Sequence, residues 1–101
     1  MTNETTAQFE DKDGNTFEIP VTYSYEELLP YYDYDRYFLI SNFFVDNYDT
    51  TQEAWDMLCA TGEHKYYDEV VREAIREQLG GSVEFPAVRH KATIVETQNP
   101  N

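Results

Sequence analysis

The chain holds very little of what catalysis usually needs. Cys59 is its one cysteine, and His64 and His90 are its two histidines. A lone thiol forms no internal disulfide, so the fold needs no oxidising compartment. A zinc centre takes three or four cysteine or histidine ligands at recognisable spacing, and none is present. Gly-rich phosphate loops, nucleophile elbows and HExxH pairs are also missing. Basic residues are scarce, with only Lys12, Lys65 and Lys91 beside four arginines. That leaves no cationic patch for direct binding to nucleic acid or to an anionic membrane. The longest apolar runs, "YFLI" and "FFV", fall far below the roughly 20 residues that span a bilayer. The opening "MTNETTAQFEDKDG" has no cationic stretch ahead of an apolar run, so no secretory leader is expected. These absences lead us to expect a cytoplasmic protein without cofactor, metal or turnover.

Acid and aromatic rings are what the chain has in abundance. Twenty Asp and Glu face seven Lys and Arg, a net charge of −13, and nine Tyr and six Phe bring aromatics to 16%. With 41% hydrophobic residues, it is too apolar for an acidic disordered tail. A single domain over residues 1–101 is expected, with polar, frayed ends at about 1–6 and 97–101.

Hydrophobic spacing predicts an α+β fold. "AQFEDKDGNTFEIPVTY" reads as a hairpin, with Phe9, Phe17, Ile19 and Val21 at strand spacing and Asp13-Gly14 as the turn. Pro20 marks the second strand as an edge. Ser24 and Glu27 have capping-box spacing, which predicts a short helix ended by Pro30. Tyr37, Ile40, Phe44 and Tyr48 follow helical spacing, although the segment around them is rich in β-formers; a helix is expected. Thr50 and Glu53 open a third helix, "QEAWDMLCA", closed by Gly62. "KYYDEVVREAIREQL" carries the clearest apolar stripe, with Tyr67, Val70, Val71, Ala74, Ile75 and Leu79, stopped by Gly80-Gly81. "SVEF" and "AVRHKATIVET" read as C-terminal strands. The expected architecture is a small antiparallel sheet, an N-terminal hairpin plus C-terminal strands, packed with three or four helices. Phe17, Ile19, Phe44, Trp55, Leu58, Val71, Ile75 and Leu79 are the expected core.

The local motifs have ordinary explanations. "DKDGN" begins like a calcium loop, but Thr16 and Thr22 stand where Gly and Glu would be required. It reads as a hairpin turn. Cys59 and His64 are near in sequence, the minimum for a thiol nucleophile. The apolar rhythm Trp55, Leu58, Cys59 reads instead as core. With so many acids, the closeness of any two carries no catalytic information.

The placement of charge is more informative. Residues 24–62 carry Glu26, Glu27, Asp33, Asp35, Asp46, Asp49, Glu53 and Asp56 against Arg36 alone, a net of −7. The later helix compensates itself through Asp68 with Arg72 and Glu73 with Arg76. Within the uncompensated stretch, "YYDYDRYF" packs five rings, two carboxylates and one arginine into eight positions. Carboxylates can replace phosphates against a basic groove, and tyrosines add flat rings that arginine favours. The expected partner-binding residues are Glu26, Glu27, Tyr31, Tyr32, Asp33, Tyr34, Asp35, Asp46, Tyr48, Asp49, Glu53 and Asp56.

In length, single-domain build, charge and lack of catalytic motifs, the chain resembles the small acidic anti-defence proteins of bacteriophages and mobile elements. These include anti-CRISPR proteins, antirestriction proteins and uracil-DNA glycosylase inhibitors, many of them nucleic-acid mimics. The resemblance implies an inhibitor acting in the host cytoplasm. Its partner would be a basic nucleic-acid-binding protein: a CRISPR effector, a restriction or repair enzyme, or a nucleoid protein. Two other readings of the acidity are a non-enzymatic interaction adaptor and adaptation to high salt.

Overall fold

The computed structural model describes residues 1–86. A four-stranded mixed sheet in the order β1-β2-β3-β4 carries two helices. The strands are β1 (Thr2–Glu10), β2 (Thr16–Asp33), β3 (Phe38–Asp49) and β4 (Ser82–Glu84). The helices α1 (Gln52–Thr61) and α2 (Tyr67–Leu79) lie between β3 and β4, joined by a 3-10 turn at Glu63–Tyr66. The α+β class therefore holds. The sheet is mixed rather than antiparallel, because β4 pairs in parallel with β3, Val83 lying opposite Phe43. Among the described residues two α-helices stand where three or four were expected.

The first hairpin follows from its turn. The Asp11 carboxylate accepts the amides of Asp13 and Asn15, both at 2.9 Å, and Gly14 takes φ 84°. These bonds and the left-handed glycine close the chain reversal at "DKDGN". Pro20 sits on β2, which is central in the sheet order. The β3 pairing begins only at Thr22, so at Pro20 the strand has β1 alone for a neighbour, and the missing amide leaves no ladder bond unmade. Residues 1–6, expected to fray, are paired from Thr2 onward. The amino terminus of Met1 donates to the Tyr25 carbonyl at 2.9 Å.

Two helices expected from the sequence are strands. Residues 24–33 continue β2, and residues 38–49 form β3. The strand register carries two bulges, in which Asp46 is the extra residue opposite Ser24/Tyr25, and Leu29 and Pro30 together face Ser41. A bulge places residues three apart on one face. Val45 and Tyr48 then share a face, as do Leu28 and Tyr31, and this three-residue step imitates a helix.

The remaining helices behave as read. Thr51 caps α1, its hydroxyl accepting the Ala54 amide at 3.1 Å, one residue beyond the expected cap at Thr50. Gly62 and Gly80, at φ 81° and 73°, end the two helices. The core gathers Ala7, Phe9, Ile19, Val21, Tyr23 and Val45 from one face of the sheet. Ala54, Leu58, Tyr67, Val71 and Ile75 meet them from the helices. Of the expected core, Ile19, Leu58, Val71 and Ile75 are fully buried, and Phe17, Trp55 and Leu79 are partly buried against them. Phe44, also expected there, is half-buried on the opposite face beside Glu26 and Glu84, because Val45 takes the core side of β3. Cys59 is exposed, contrary to expectation. The buried line of α1 runs through Ala54 and Leu58, and Cys59 lies one step round the helix from it. Residues 87–101, with His90 and the expected strand "AVRHKATIVET", lie outside the described residues.

Candidate functional site

Two exposed surfaces stand out, and both are built by the sheet. None of the four strands contains a lysine, arginine or histidine. The face turned away from the core therefore collects carboxylates alone. Side chains alternate along a strand, and the register puts Glu4, Glu10, Glu18, Glu26 and Glu84 on this face, all exposed. Glu18 lies opposite Gln8 and Glu10 opposite Thr16, which makes Glu10 and Glu18 diagonal neighbours at roughly 7–8 Å. Glu26 and Glu84 flank Phe44 from two sides, roughly 10 Å apart across two strand spacings. Arg36 pairs with Asp33 (3.8 Å) at the ribbon tip and Arg76 with Glu73 (3.2 Å) on α2, where Arg72 and Arg76 line one recess with Thr6, Gln8 and Glu18.

The second surface is a β-ribbon. The last β1 pairing is Thr2 with Ser24, yet β2 runs on to Asp33, nine residues or roughly 30 Å further. β4 pairs only with Asn42–Phe44, so beyond Ile40 the ribbon is β2 and β3 alone. Its tip reverses through Tyr34–Tyr37, where the Asp33 carboxylate accepts the Asp35 amide at 3.0 Å. Tyr37 takes φ 62°, a left-handed conformation uncommon for an aromatic residue. Leu29 is 88% exposed, Tyr34 79%, Tyr37 78% and Leu39 63%, with Tyr31, Tyr32 and Phe38 also exposed. Tyr32 and Tyr34 meet edge to face at 4.9 Å. The register sets Tyr31 and Phe38 on one face of the ribbon and Tyr32 and Leu39 on the other, so apolar side chains are exposed on both its faces.

The residues singled out from sequence divide between places. Glu26, Glu27, Tyr31, Tyr32, Asp33, Tyr34 and Asp35 lie together on the ribbon. Asp46 is the bulge residue near its base. Asp49 ends β3, and Glu53 and Asp56 follow on α1. From Phe38 to Asp49 the strand covers roughly 36 Å, so the tip and the α1 acids form no single patch. Tyr48 is on the core side. Its hydroxyl donates to the Asp68 carboxylate and accepts from Arg72 Nε at 2.9 Å. Burial, with Asp68 adding and Arg72 opposing, raises its pKa to about 12.

No family model, curated protein or solved structure matches the chain.

Sequence reasoning missed Glu4, Glu10, Glu18 and Glu84, which lie outside the segment of greatest net charge. The signal was present as alternation: Glu18, Thr22, Ser24 and Glu26 alternate with the core-facing Ile19, Val21, Tyr23 and Tyr25 on β2. Among the described residues no three His, Cys, Asp or Glu side chains are placed to hold a metal ion, and no helix is long and apolar enough to cross a membrane.

Proposed function

We propose that the protein is an inhibitor that binds a basic nucleic-acid-binding protein and competes with its nucleic acid. The observation that carries this reading is the sheet, whose four strands contain no base and whose outward face presents Glu4, Glu10, Glu18, Glu26 and Glu84, with Arg72 and Arg76 of α2 approaching at the recess beside Glu18. A lysine- or arginine-lined groove that accepts phosphates accepts such a face by the same electrostatics. The ribbon adds apolar anchors beyond the charged area, as aromatic hot spots do in protein interfaces. Together with its size and charge, this favours an anti-defence protein of the DNA-mimic kind, directed at a CRISPR effector, a restriction enzyme or a repair enzyme.

The test is capture of a partner from host lysate, followed by competition with duplex DNA or guide RNA. Displacement in both directions is expected, with affinity falling steeply as salt rises, because charges across the interface are screened over about 8–10 Å at 0.1–0.15 M. Lysine at Glu18 or Glu26 is expected to weaken binding more than lysine at Glu73, which is paired with Arg76. The exposed rings of the ribbon favour a second reading, an adaptor that binds by apolar contact alone. A partner that keeps its nucleic acid while holding this protein would select the adaptor and reject mimicry.

A further inference from the structure

Where β3 hands over to α1, the chain folds round a recess of about 450 Å3. Tyr48, Asp49, Thr51, Trp55 and Tyr67 line it. Tyr67 is buried and forms the floor. The rings meet as a corner rather than a slot, with Trp55 and Tyr67 5.2 Å apart at 87° and Tyr48 and Tyr67 6.0 Å apart at 41°. Aromatic faces set at steep angles attract a cation through their quadrupoles.

Charge points the same way. Asp49 is exposed at the mouth, and after burial its negative charge is the largest cause of the raised pKa of the Tyr67 phenol. No lysine or arginine lines the recess among the described residues. One cation is close: Arg72 lies 5.6 Å from the Tyr48 ring and bonds its hydroxyl, where the Asp68 carboxylate on the same hydroxyl offsets its charge. An anion drawn to the start of α1 is the competing occupant. It would meet Asp49 at the mouth and Glu53 in the first helical turn, and the Ala54 amide is already taken by Thr51.

We propose that this recess is a receptor for an organic cation, a guanidinium or alkylammonium head group seated among Tyr48, Trp55 and Tyr67 and neutralised by Asp49. The cation is either an arginine or lysine side chain of another protein or a free small amine. The rings lie on the core side of the sheet, whereas Asp49, opposite Thr22, borders its outward face; small-cation binding and competition with nucleic acid are read separately, so either site can fail without the other.

Trp55 is the only tryptophan, so its fluorescence reports on the recess directly. The full chain is titrated with methylguanidinium and tetramethylammonium at constant ionic strength, and in parallel with the neutral isosteres methylurea and tert-butanol. A saturable response with a millimolar dissociation constant is expected for the cations and none for the isosteres, with NMR shifts centred on Tyr48, Trp55 and Tyr67. Asp49→Asn, at an exposed position that leaves the core intact, is expected to weaken cation binding about tenfold, the loss of one charge-assisted contact. A blocked glycine-arginine-glycine peptide distinguishes the sources. Binding like that of the free probe identifies a protein side chain, and exclusion of the peptide identifies a small amine. Equal binding of the neutral isosteres, no saturable response to the cations, or unchanged affinity in Asp49→Asn would overturn the proposal.

Discussion

Leu58 and Ile75 have no exposed surface, and they join the two helices to the sheet within one cluster. Truncating either to alanine is expected to cost about 2–5 kcal/mol, read from denaturant unfolding. Gly81 carries a different constraint. A Cβ there would lie 2.6 Å from the Ser41 carbonyl oxygen and 3.1 Å from the Phe43 ring, where β4 begins to pair with β3. Gly81→Ala is expected to lower the melting temperature through this clash, whereas at Gly62 and Gly80, with open surroundings, the same change would act only through their left-handed φ. Tyrosines supply the pH dependence. Burial raises Tyr23, Tyr48 and Tyr67 above the ordinary 10.0, Tyr48 to about 12. Their contribution is therefore intact below pH 10. Above it the unfolded chain sheds these protons before the native state does, so stability should fall between about pH 10 and 12. A flat unfolding profile across that window would mean these phenols are no harder to ionise folded than unfolded. At this scale the sequence was legible where burial follows a helical stripe, as at Val71 and Ile75. It misled at Cys59, where one step round a short helix separates core from solvent.

Elements were legible in proportion to how regular they are. The first hairpin declares itself through Asp13-Gly14, and α2 through a stripe that no strand would produce. The helix expected from Tyr37, Ile40, Phe44 and Tyr48 is broken up by the strand. Tyr37 lies in the turn, Ile40 and Phe44 face away from the core and Tyr48 faces it. Each long strand also contains a bulge. Val45 with Tyr48, and Leu28 with Tyr31, are spaced as helix neighbours, while Ser24 and Glu27 fall at capping-box distance by coincidence. Pairing with a neighbouring strand outweighed both local signals, as tertiary context does for weak intrinsic preferences. The ribbon that results has no core beneath its outer half. Its amides at residues 31–33 and 38–41 are expected to exchange with solvent faster than those of Ile19, Val21 and Tyr23, because two strands without packing are marginal in water. Equal protection along the whole of β2 would show that something covers the ribbon. Serine at Leu29 or Leu39 is expected to change stability by less than about 0.5 kcal/mol, so those variants separate a binding role from a folding role.

For the molecule as a whole, the net charge of −13 acts as self-repulsion concentrated on the sheet. Raising sodium chloride from 10 to 150 mM shortens the Debye length from about 30 to about 8 Å, and the melting temperature is expected to rise with it. Cooperative folding already complete in the low-salt sample would exclude adaptation to molar salt as the reason for the acidity. The candidate surface was only partly legible at this scale. Counting charges along the chain located the ribbon acids, but the sheet face is assembled from strands distant in sequence and appears only once register is known. The parallel pairing of β4 with β3 has a kinetic consequence of its own. The hairpins β1-β2 and β2-β3 close over short turns, whereas β4 must wait for the whole stretch from Thr50 to Gly81 to fold back. Closing so long a connection is entropically slow. The meander should therefore form early, and the docking of Ser82–Glu84, with Gly81 tucked against Ser41, should be the step that completes the molecule.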